Sequence, residues 1–528
     1  MSETQILNHH SNLSELFSDI AVVLRGKTGS SEQIRAAQFP SIIRQKLQSI
    51  QPYKSFLTFK SPNSFTLSTF SNTKGWDGIM EYSTDTEHWA IWDSGASLSS
   101  GSSDGVNVLY VRGTGNHIIQ TPTTYKASNW VLNGSDVECI GNIETIFDYV
   151  TVEAGQHPPM QSGSCACLFA NCTALTRAPD LMATALTVNC YYEMFYGCTS
   201  LVTPPILPAT VLAEFCYKEM FRDCTSLAVA PALPATTLAP FCYQEMFKGC
   251  TGLITPPALP AVTLADCCYY KMFTGCTSLA TSPALPATKL PASCYSEMFF
   301  ECKSLTLPPE MHPTTVSGSS CARMFMGCSE LTQAPDLPAT TLAKSCYIEM
   351  FANCYKLVNA PTLPATTLAE NCYESMFYHC TSLVTAPPSL STNKVFASCC
   401  KNMFRECSAM QTAPSLPATI LAESCYTGMF YGCTSLVQIP RLPANYLQTK
   451  CYDSMFAGCS SIKMALSRSD EYNQIYHIPY DGYFRVPSGF TERDYAGGVL
   501  SGIGGESIPA TTSKLNRDFY LSNTNTIV

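Results

Sequence analysis

The sequence predicts an α+β fold: a solenoid of about twelve stacked 26-residue units, preceded by short N-terminal helices and a small all-β domain. Three observations predict it. A Met-Phe pair recurs every 26 residues through more than half of the chain. All four tryptophans lie just before these repeats, among stretches of alternating apolar and polar residues. The first 50 residues carry apolar side chains at helical spacing.

The Met-Phe pair gives the length and number of the repeats. Its Met position advances by 26 residues from 168, which holds a Leu, to 455, except for 27 residues between Met376 and Met403. Near-copies at a fixed period indicate units that stack and supply one another's contacts, because one unit alone cannot bury a core. The single extra residue is expected to form a local bulge.

Each unit is predicted to hold a short helix and a short strand. At 100° per residue, the five apolar positions of residues 216–224 fall within an arc of about 140°, which is typical of an amphipathic helix. Gly or Asn often follows, as at Gly197 and Asn353, and both residues suit a left-handed helix end. The rest of the unit is predicted to be a strand that ends at a proline, since proline cannot donate to the ladder.

The pattern F-x-x-C-x-x-L…P, with a period in the twenties, resembles the BspA-type leucine-rich repeat. The wording CYxxMFxGCTSLxxAPxLPATTLA is similar to a version found in Bacteroides and in the phages that infect them. The resemblance covers residues 164–461. It implies a curved solenoid with strands on one face. It does not imply one activity, since members of this family mostly present surfaces.

The chain has 28 cysteines, and all but Cys139 lie in the repeat region. The two cysteines of one unit are roughly 12 Å apart on a helix, which is too far for a disulfide. Equivalent cysteines of neighbouring units stack at roughly 5 Å, so disulfides between units stay open. Ser164 and Ser320 replace the first cysteine in two units. Packing tolerates that change better than a disulfide would, so free buried thiols are predicted.

Composition excludes several classes of function. The net charge of −9 and the pI near 5.4 argue against nucleic-acid binding. No apolar run reaches membrane-spanning length, and the N-terminus does not resemble a secretory signal. We expect folding in a reducing cytosol. No phosphate-binding loop, nucleophile elbow or metal-ligand spacing is present, so we expect no enzyme activity, cofactor or metal.

Residues 51–153 are predicted to be a small β-sandwich that adapts the start of the chain to the solenoid. Alternation in SFLTFK, SFTLSTF, GIMEYS, HWAIWD and NVLYVRG indicates strands separated by polar turns. Trp89 and Trp92 are either part of the sandwich core or exposed surfaces for host contact. Residues 154–461 then form the solenoid and residues 462–528 its C-terminal cap, with a partner contact as the alternative for the cap.

Residues 1–50 are predicted to be a helical segment for virion attachment and oligomerisation. The stretch LFSDIAVVLRGKTGSSEQIRAAQFPSIIRQ resembles a leader found on tail, fibre and head-decoration proteins of gut phages. That resemblance implies a capsid or tail protein as partner, and self-association as a homotrimer. The apolar side chains expected to make these contacts are Leu13, Leu16, Phe17, Ile20, Leu24, Phe39, Ile42 and Ile43.

Together, these resemblances imply a structural or adhesion protein of a phage virion, made in the host cytoplasm and carried on the virion surface. As a head or tail fibre, it would project a rigid arm toward a host glycan or protein. The alternatives are a bacterial BspA-like adhesin, for which an export signal is expected, and an intracellular scaffold. Host contact is expected at Tyr196, Phe300, Tyr378 and Tyr431, whose equivalents vary between units, with a merely solvated convex face as the alternative. The head or tail location, the receptor and the oligomeric state stay open.

Overall fold

The computed structural model describes residues 56–70, 75–93, 95–103, 105–119, 130–390, 392–437, 440, 444, 448–456 and 458–461. The predicted attachment residues between Leu13 and Ile43 and the predicted cap at 462–528 lie outside the described residues. The described part of the chain is mostly β structure with one helix.

Two sheets form the region before the repeats, and the larger one also includes a strand of the first repeat. The elements are β1 (Leu57–Ser61), β2 (Thr66–Thr69), β3 (Ile79–Ser83), β4 (Ala90–Ile91), β5 (Leu98–Ser99), β6 (Gly101–Ser103), β7 (Val106–Thr114), β8 (Trp130–Asn133), β9 (Val137–Ile140), α1 (Thr145–Glu153) and β10 (Leu175–Arg177). The larger sheet has the strand order β10-β9-β1-β7-β3-β4, with β6 also paired to β7, and the smaller has the order β5-β2-β8. The five alternating stretches form β1, β2, β3, β4 and β7, so the prediction of β structure is confirmed there. The helix α1 was not predicted.

The core of this region lies between the two sheets. Strand β1 is antiparallel to both β7 and β9, so that Phe59 lies opposite Leu109 on one side and Cys139 on the other. All three side chains are buried, which follows from the period of two in each strand. Trp130 of β8 closes the core from the other sheet, with its ring 6.1 Å from the ring of Phe59.

Helix α1 packs very closely on β7. It is kinked at Asp148, whose φ of −154° and ψ of 99° are not helical. The buried side chain of Asn116 donates to the carbonyl oxygens of Ile79 at 2.8 Å and Ile146 at 2.9 Å. A Cβ at Gly113 would lie 1.8 Å from the Ile146 carbonyl oxygen, so β7 requires glycine at this position.

A buried acid precedes α1. The side chain of Glu144 is 1% exposed, and the His157 Nδ1 lies 2.8 and 3.0 Å from its two carboxylate oxygens. Burial raises the pKa of Glu144, and the hydrogen bond from His157 offsets only part of that rise. His157 lies between α1 and the first repeat, so this pair ties the connection to the β region.

The prediction of an amphipathic α-helix in each repeat is wrong. Residues 190–198 form a series of tight turns. Every second amide donates within the turn, as from Met194 to the Tyr191 carbonyl at 3.3 Å. The amides between them donate along the stack, as from Phe195 to the Met220 carbonyl at 2.9 Å. Half of the N–H groups therefore bond to the next repeat and not to their own turn.

Left-handed residues recur every four positions in these turns. Asn189, Glu193 and Gly197 have φ values of 55°, 49° and 67°, and the same three positions are left-handed in the following repeat. The left-handed conformation predicted at the Gly and Asn positions is therefore confirmed, although it ends no helix. It costs roughly 1–2 kcal/mol for each non-glycine residue, which the hydrogen bonds between repeats must offset.

The second half of each repeat forms single-residue parallel β-bridges in place of the predicted strand. One row includes Arg177–Thr203 and Val229–Thr255, and a second row includes Ala185–Val211 and Thr237–Thr263. Prolines between the two rows remove the donors that a longer ladder would need. Only β10 and the short pair β11 (Lys289–Leu290) and β12 (Thr315–Val316) are strands among the described residues of the repeats.

Columns of identical side chains fill the interior. Eleven successive pairs of Phe rings, from Phe169 to Phe456, stack with centroids 5.4–5.8 Å apart. A parallel column of buried tyrosines runs beside them, with Tyr217 and Tyr243 at 5.8 Å. Cysteine takes the tyrosine position in three repeats, at Cys165, Cys321 and Cys400. The buried core continues without a break from Leu57 to Cys459, across both regions.

All 28 cysteines have free thiols, which agrees with the predicted free state. The second cysteine of every repeat after the first does more than fill space, because its Sγ donates to a Phe carbonyl of the preceding repeat; in the first repeat, Cys172 donates to the Trp130 carbonyl at 3.1 Å. Cys250 contacts the Phe221 oxygen at 2.9 Å, and ten equivalent contacts span 3.0–3.1 Å. The first cysteine of a repeat faces a cysteine carbonyl of the next repeat at a longer distance. The Cys190 Sγ lies 4.0 Å from the Cys216 oxygen, and the Cys425 Sγ lies 3.9 Å from the Cys451 oxygen.

The 27-residue unit keeps the stack in register. Phe377 and Phe404 still stack at 5.4 Å, and the Cys407 thiol still reaches the Phe377 carbonyl at 3.0 Å. The local turn near Thr392, whose amide donates to Leu390 at 2.7 Å, accommodates the change in the loop. The stack therefore absorbs the insertion locally, as expected.

Candidate interaction surface

One side of the stacked repeats presents varied polar and aromatic side chains, which we call the ladder face. It consists of the residues one position before and two, three, six and seven positions after the first cysteine of each repeat, as at 189, 192, 193, 196 and 197. The backbone hydrogen bonds between repeats hold equivalent residues one above another. Side chains that are 26 residues apart in sequence therefore become direct neighbours.

Ion pairs run along the ladder face from one repeat to the next. Arg222 contacts Glu219 in its own repeat at 2.7 Å and Glu245 in the next repeat at 3.5 Å. Lys248 completes the chain by contacting Glu245 at 2.7 Å. Burial raises the pKa of Glu245, but the Lys248 ammonium and the Arg222 charge outweigh it and hold that pKa below its usual range. Further along, Glu297 lies 3.4 Å from Lys271 and 4.0 Å from Arg323.

The four repeat aromatics predicted for host contact lie on the ladder face, but all are half-buried, not fully exposed. The Arg222 guanidinium lies over the ring of Tyr196 at 5.6 Å, and the Arg405 guanidinium lies over Tyr431 at 4.0 Å. Tyr378 contacts the ring of His379 at 6.0 Å. These rings, and Phe300, therefore present edges and partial faces within a polar surface.

The structure separates the two tryptophans predicted as alternatives. Trp92 is 1% exposed and packs between Trp76 at 5.1 Å and Trp130 at 5.4 Å. Its indole N–H donates to the Ala96 carbonyl at 3.0 Å. Trp92 therefore belongs to the core, and the expectation that it contacts a host is wrong, because its ring faces other rings of the same chain.

Trp89 is half-buried in an aromatic cluster around one guanidinium. The Arg112 guanidinium lies 3.9 Å from the ring centre of Trp89 and 4.3 Å from that of Tyr149. Phe56 packs edge-on against Trp89 at 5.0 Å. Glu81 fixes the arginine through its Nε at 2.8 Å. The site is filled by the chain's own cation, and the face of Trp89 toward Arg112 is already occupied.

The most concentrated aromatic group of the ladder face was not predicted. Phe215 and Phe241 occupy left-handed positions just before the first cysteine of two successive repeats, and their rings stack at 4.8 Å. The Lys218 ammonium lies 5.6 Å from Phe215 and 5.5 Å from Tyr192. This group could have been recognised in the sequence, because only these two repeats have Phe directly before the first cysteine. We call Tyr192, Phe215, Lys218 and Phe241 the aromatic group.

The ladder face combines charged and aromatic side chains from successive repeats. Within the described ranges, no three His, Cys, Asp or Glu side chains are grouped so that they could hold a metal ion. The helix of the described part lacks the combination of length and apolar character that a membrane span requires. What the face offers is half-buried rings beside paired charges, repeated along the stack.

Comparison with known proteins leaves the family of the chain open. No protein-family model matches it, and no curated protein or solved structure is similar to it.

Proposed function

We propose that the chain is a structural adhesion protein of a phage virion, a head or tail fibre that projects a rigid repeat arm toward the host surface. The observation that carries this proposal is the unbroken stack of repeats. Eleven ring-to-ring steps of 5.4–5.8 Å give an arm of roughly 60 Å.

The proposed shape of the arm is a curved leucine-rich-repeat solenoid. Successive Phe rings are 5.4–5.8 Å apart on the aromatic side. Parallel bridges join equivalent residues of successive repeats in another part of each unit. A column of rings and a row of bridges that both link each repeat to the next are what stacked leucine-rich repeats require. This supports the resemblance to BspA-type repeats in the pattern F-x-x-C-x-x-L.

In this proposal each region has a separate role. Residues 1–50 attach the protein to a capsid or tail protein and bring three copies together, and residues 51–153 join this anchor to the arm. The ladder face, with Tyr196, Phe300, Tyr378 and Tyr431, contacts a host glycan or protein. Trp89 adds a smaller contact near the base. The aromatic group concentrates the largest ring area within the ladder face.

The proposal has two tests. Virions that carry the protein should show projecting arms of roughly 60 Å, and virions made with residues 1–50 deleted should lack them. Host adsorption should fall in Phe215→Ala/Phe241→Ala, while Phe70→Ala, a 70% exposed ring outside the repeats, should leave it unchanged. Normal copy number of the deletion on virions would place the anchor elsewhere, and unchanged adsorption of the double variant would remove the ladder face from the proposal.

A bacterial surface adhesin with BspA-type repeats is the second candidate. It rests on the same stack and ladder face, and differs in where the protein is found. Recovery of the protein from the outer surface of bacterial cells that carry no phage would favour it over the virion reading.

A further inference from the structure

A second surface of the repeats differs from the ladder face in being nearly uniform. Two adjacent residues of each repeat are exposed along it, through ten repeats. We call them the threonine strip: residues 184–185, 210–211, 236–237, 262–263, 288–289, 314–315, 340–341, 366–367, 393–394 and 419–420. Thirteen of these twenty residues are threonine, and none is acidic.

The strip is regular because the backbone beneath it is regular. Parallel bridges pair Thr237 with Thr263 and Thr341 with Thr367, so equivalent side chains lie directly above one another. The Phe rings of successive repeats are inclined by only 0–12°, so the orientation changes little from one repeat to the next. A sheet with so little twist can present straight columns of side chains.

The strip is also suited to losing its water. Val211, Val262 and Ile420 are 61%, 60% and 56% exposed, and rank among the most exposed large apolar side chains of the described residues. The Thr314 hydroxyl donates to the Thr288 carbonyl at 3.3 Å, so this donor is satisfied within the strip and a covering surface need not supply its partner. Burial of the strip's exposed methyl groups is favourable, and a hydroxyl that is satisfied like that of Thr314 adds little cost.

We infer that the threonine strip is an interface with a second copy of this chain. A surface that contacts the strip at every repeat must have the same spacing of ~4.8 Å between its contacts. The strip of a second copy has this spacing because its sequence is the same. Columns of identical side chains from stacked strands interdigitate in dry interfaces of this kind. The strip supplies twenty residues per copy, and a stable interface uses about 20–30 on each side. The charged residues of the strip are Lys289 and Lys394, so a contact through it avoids repulsion between carboxylates of two chains that each carry a net charge of −9.

The test is the self-association of the full chain, measured by sedimentation across a concentration series. The wild type should form a two-fold pairing of copies, or a pairing of any trimers formed through residues 1–50. Thr237→Glu/Thr341→Glu places charges on two rungs that lie four repeats apart. In either orientation of the partner these charges meet each other or uncharged threonines, so the pairing should weaken at least ~100-fold.

Two matched variants make the result specific. Thr237→Val/Thr341→Val keeps the shape without the charge and should keep the pairing. Thr199→Glu/Thr251→Glu adds the same charge at exposed threonines outside the strip, and should also keep it. The inference is overturned if the wild type does not pair. This holds even if the strip then proves to bind a periodic polymer. Equal weakening by the strip and off-strip variants overturns it as well. Host adsorption is a separate measurement, so either result leaves the proposed function to its own test.

Discussion

At the scale of single residues, the two cysteine columns have different environments. The second cysteine donates to a Phe carbonyl at 2.9–3.1 Å in eleven repeats, whereas the carbonyl contacts of the first cysteines Cys190 and Cys425 are 4.0 and 3.9 Å long. Both positions require a small buried side chain. Only the second gains from a donor, because a Phe carbonyl faces it.

Serine and alanine substitutions should separate these two requirements. Cys250→Ser keeps a donor toward the Phe221 oxygen, so it should lower the melting temperature less than Cys250→Ala does. At Cys190, whose thiol lies 4.0 Å from the Cys216 oxygen, the order should reverse, because the Ser320 hydroxyl at the equivalent position of another repeat is buried without a hydrogen-bond partner. Each difference should amount to about 1 kcal/mol. The same order at both sites, measured by thermal unfolding, would show that the thiols serve only to fill space.

Glu144 gives a prediction for pH. Burial raises its pKa in the folded chain above the unfolded value of about 4.3. Protonation therefore favours the folded state, and this stabilisation is present below the unfolded pKa and lost as the pH rises through the folded pKa. Glu144→Gln stays neutral, so its melting temperature should rise relative to the wild type from about pH 4 upward.

The control for this prediction is Glu138→Gln, which removes a carboxylate at an exposed ion pair 3.3 Å from Lys60. Its difference from the wild type should change much less over the same range. A difference for Glu144→Gln that stays constant with pH would mean that His157 compensates the buried charge throughout.

At the scale of elements, the turns between the cysteines show where sequence reasoning is ambiguous. The pattern CYxxMFxxC has two apolar and two polar positions in alternation, which is a period of four. Over nine residues, a period of four and the helical period of 3.6 place the same side chains inward. The repeat length and the left-handed Gly and Asn positions were predictable because they depend on identity. The hydrogen-bond pattern was not, because it depends on the neighbouring repeat.

The contact between β7 and α1 gives a prediction for two glycines. Gly113→Ala should destabilise the β region by at least ~3 kcal/mol, because its Cβ would collide with the Ile146 backbone and not with a movable side chain. Gly115→Ala is the control. Gly115 has a φ of 62° and open space around it, so the variant should cost only the left-handed conformation, roughly 1–2 kcal/mol. Similar losses for both variants in thermal unfolding would contradict the close approach.

The candidate site was predictable only in part at this scale. Sequence variation among repeats correctly placed Tyr196 and Tyr431 on the face that differs between units. It could not show that Arg222 and Arg405 cover their rings, since each cation comes from another repeat. Trp89 and Trp92 are three residues apart in similar surroundings, and only the strand pairing decides which one is buried.

At the scale of the whole molecule, the repeats should be additive. Removal of residues 225–250, one period of 26 residues, joins Cys224 to Thr251 and recreates the junction of any two repeats. The chain should fold, with an arm shortened by one step of roughly 5.6 Å. Removal of residues 225–237 alone should prevent folding beyond the cut, because it brings turns and bridges out of register. Small-angle scattering and circular dichroism would check both variants.

The direction of the hydrogen bonds between repeats has a mechanical consequence. In the first half of each repeat they run along the stack, so a pull on the two ends loads every junction in series. The weakest junction then opens first, and its repeat unfolds. The unfolded repeat releases 26 residues, which span up to roughly 90 Å when extended. The neighbouring repeats keep their own junctions while it does so. Under a pulling force, the stack would therefore lengthen stepwise into extended chain and absorb work at each step.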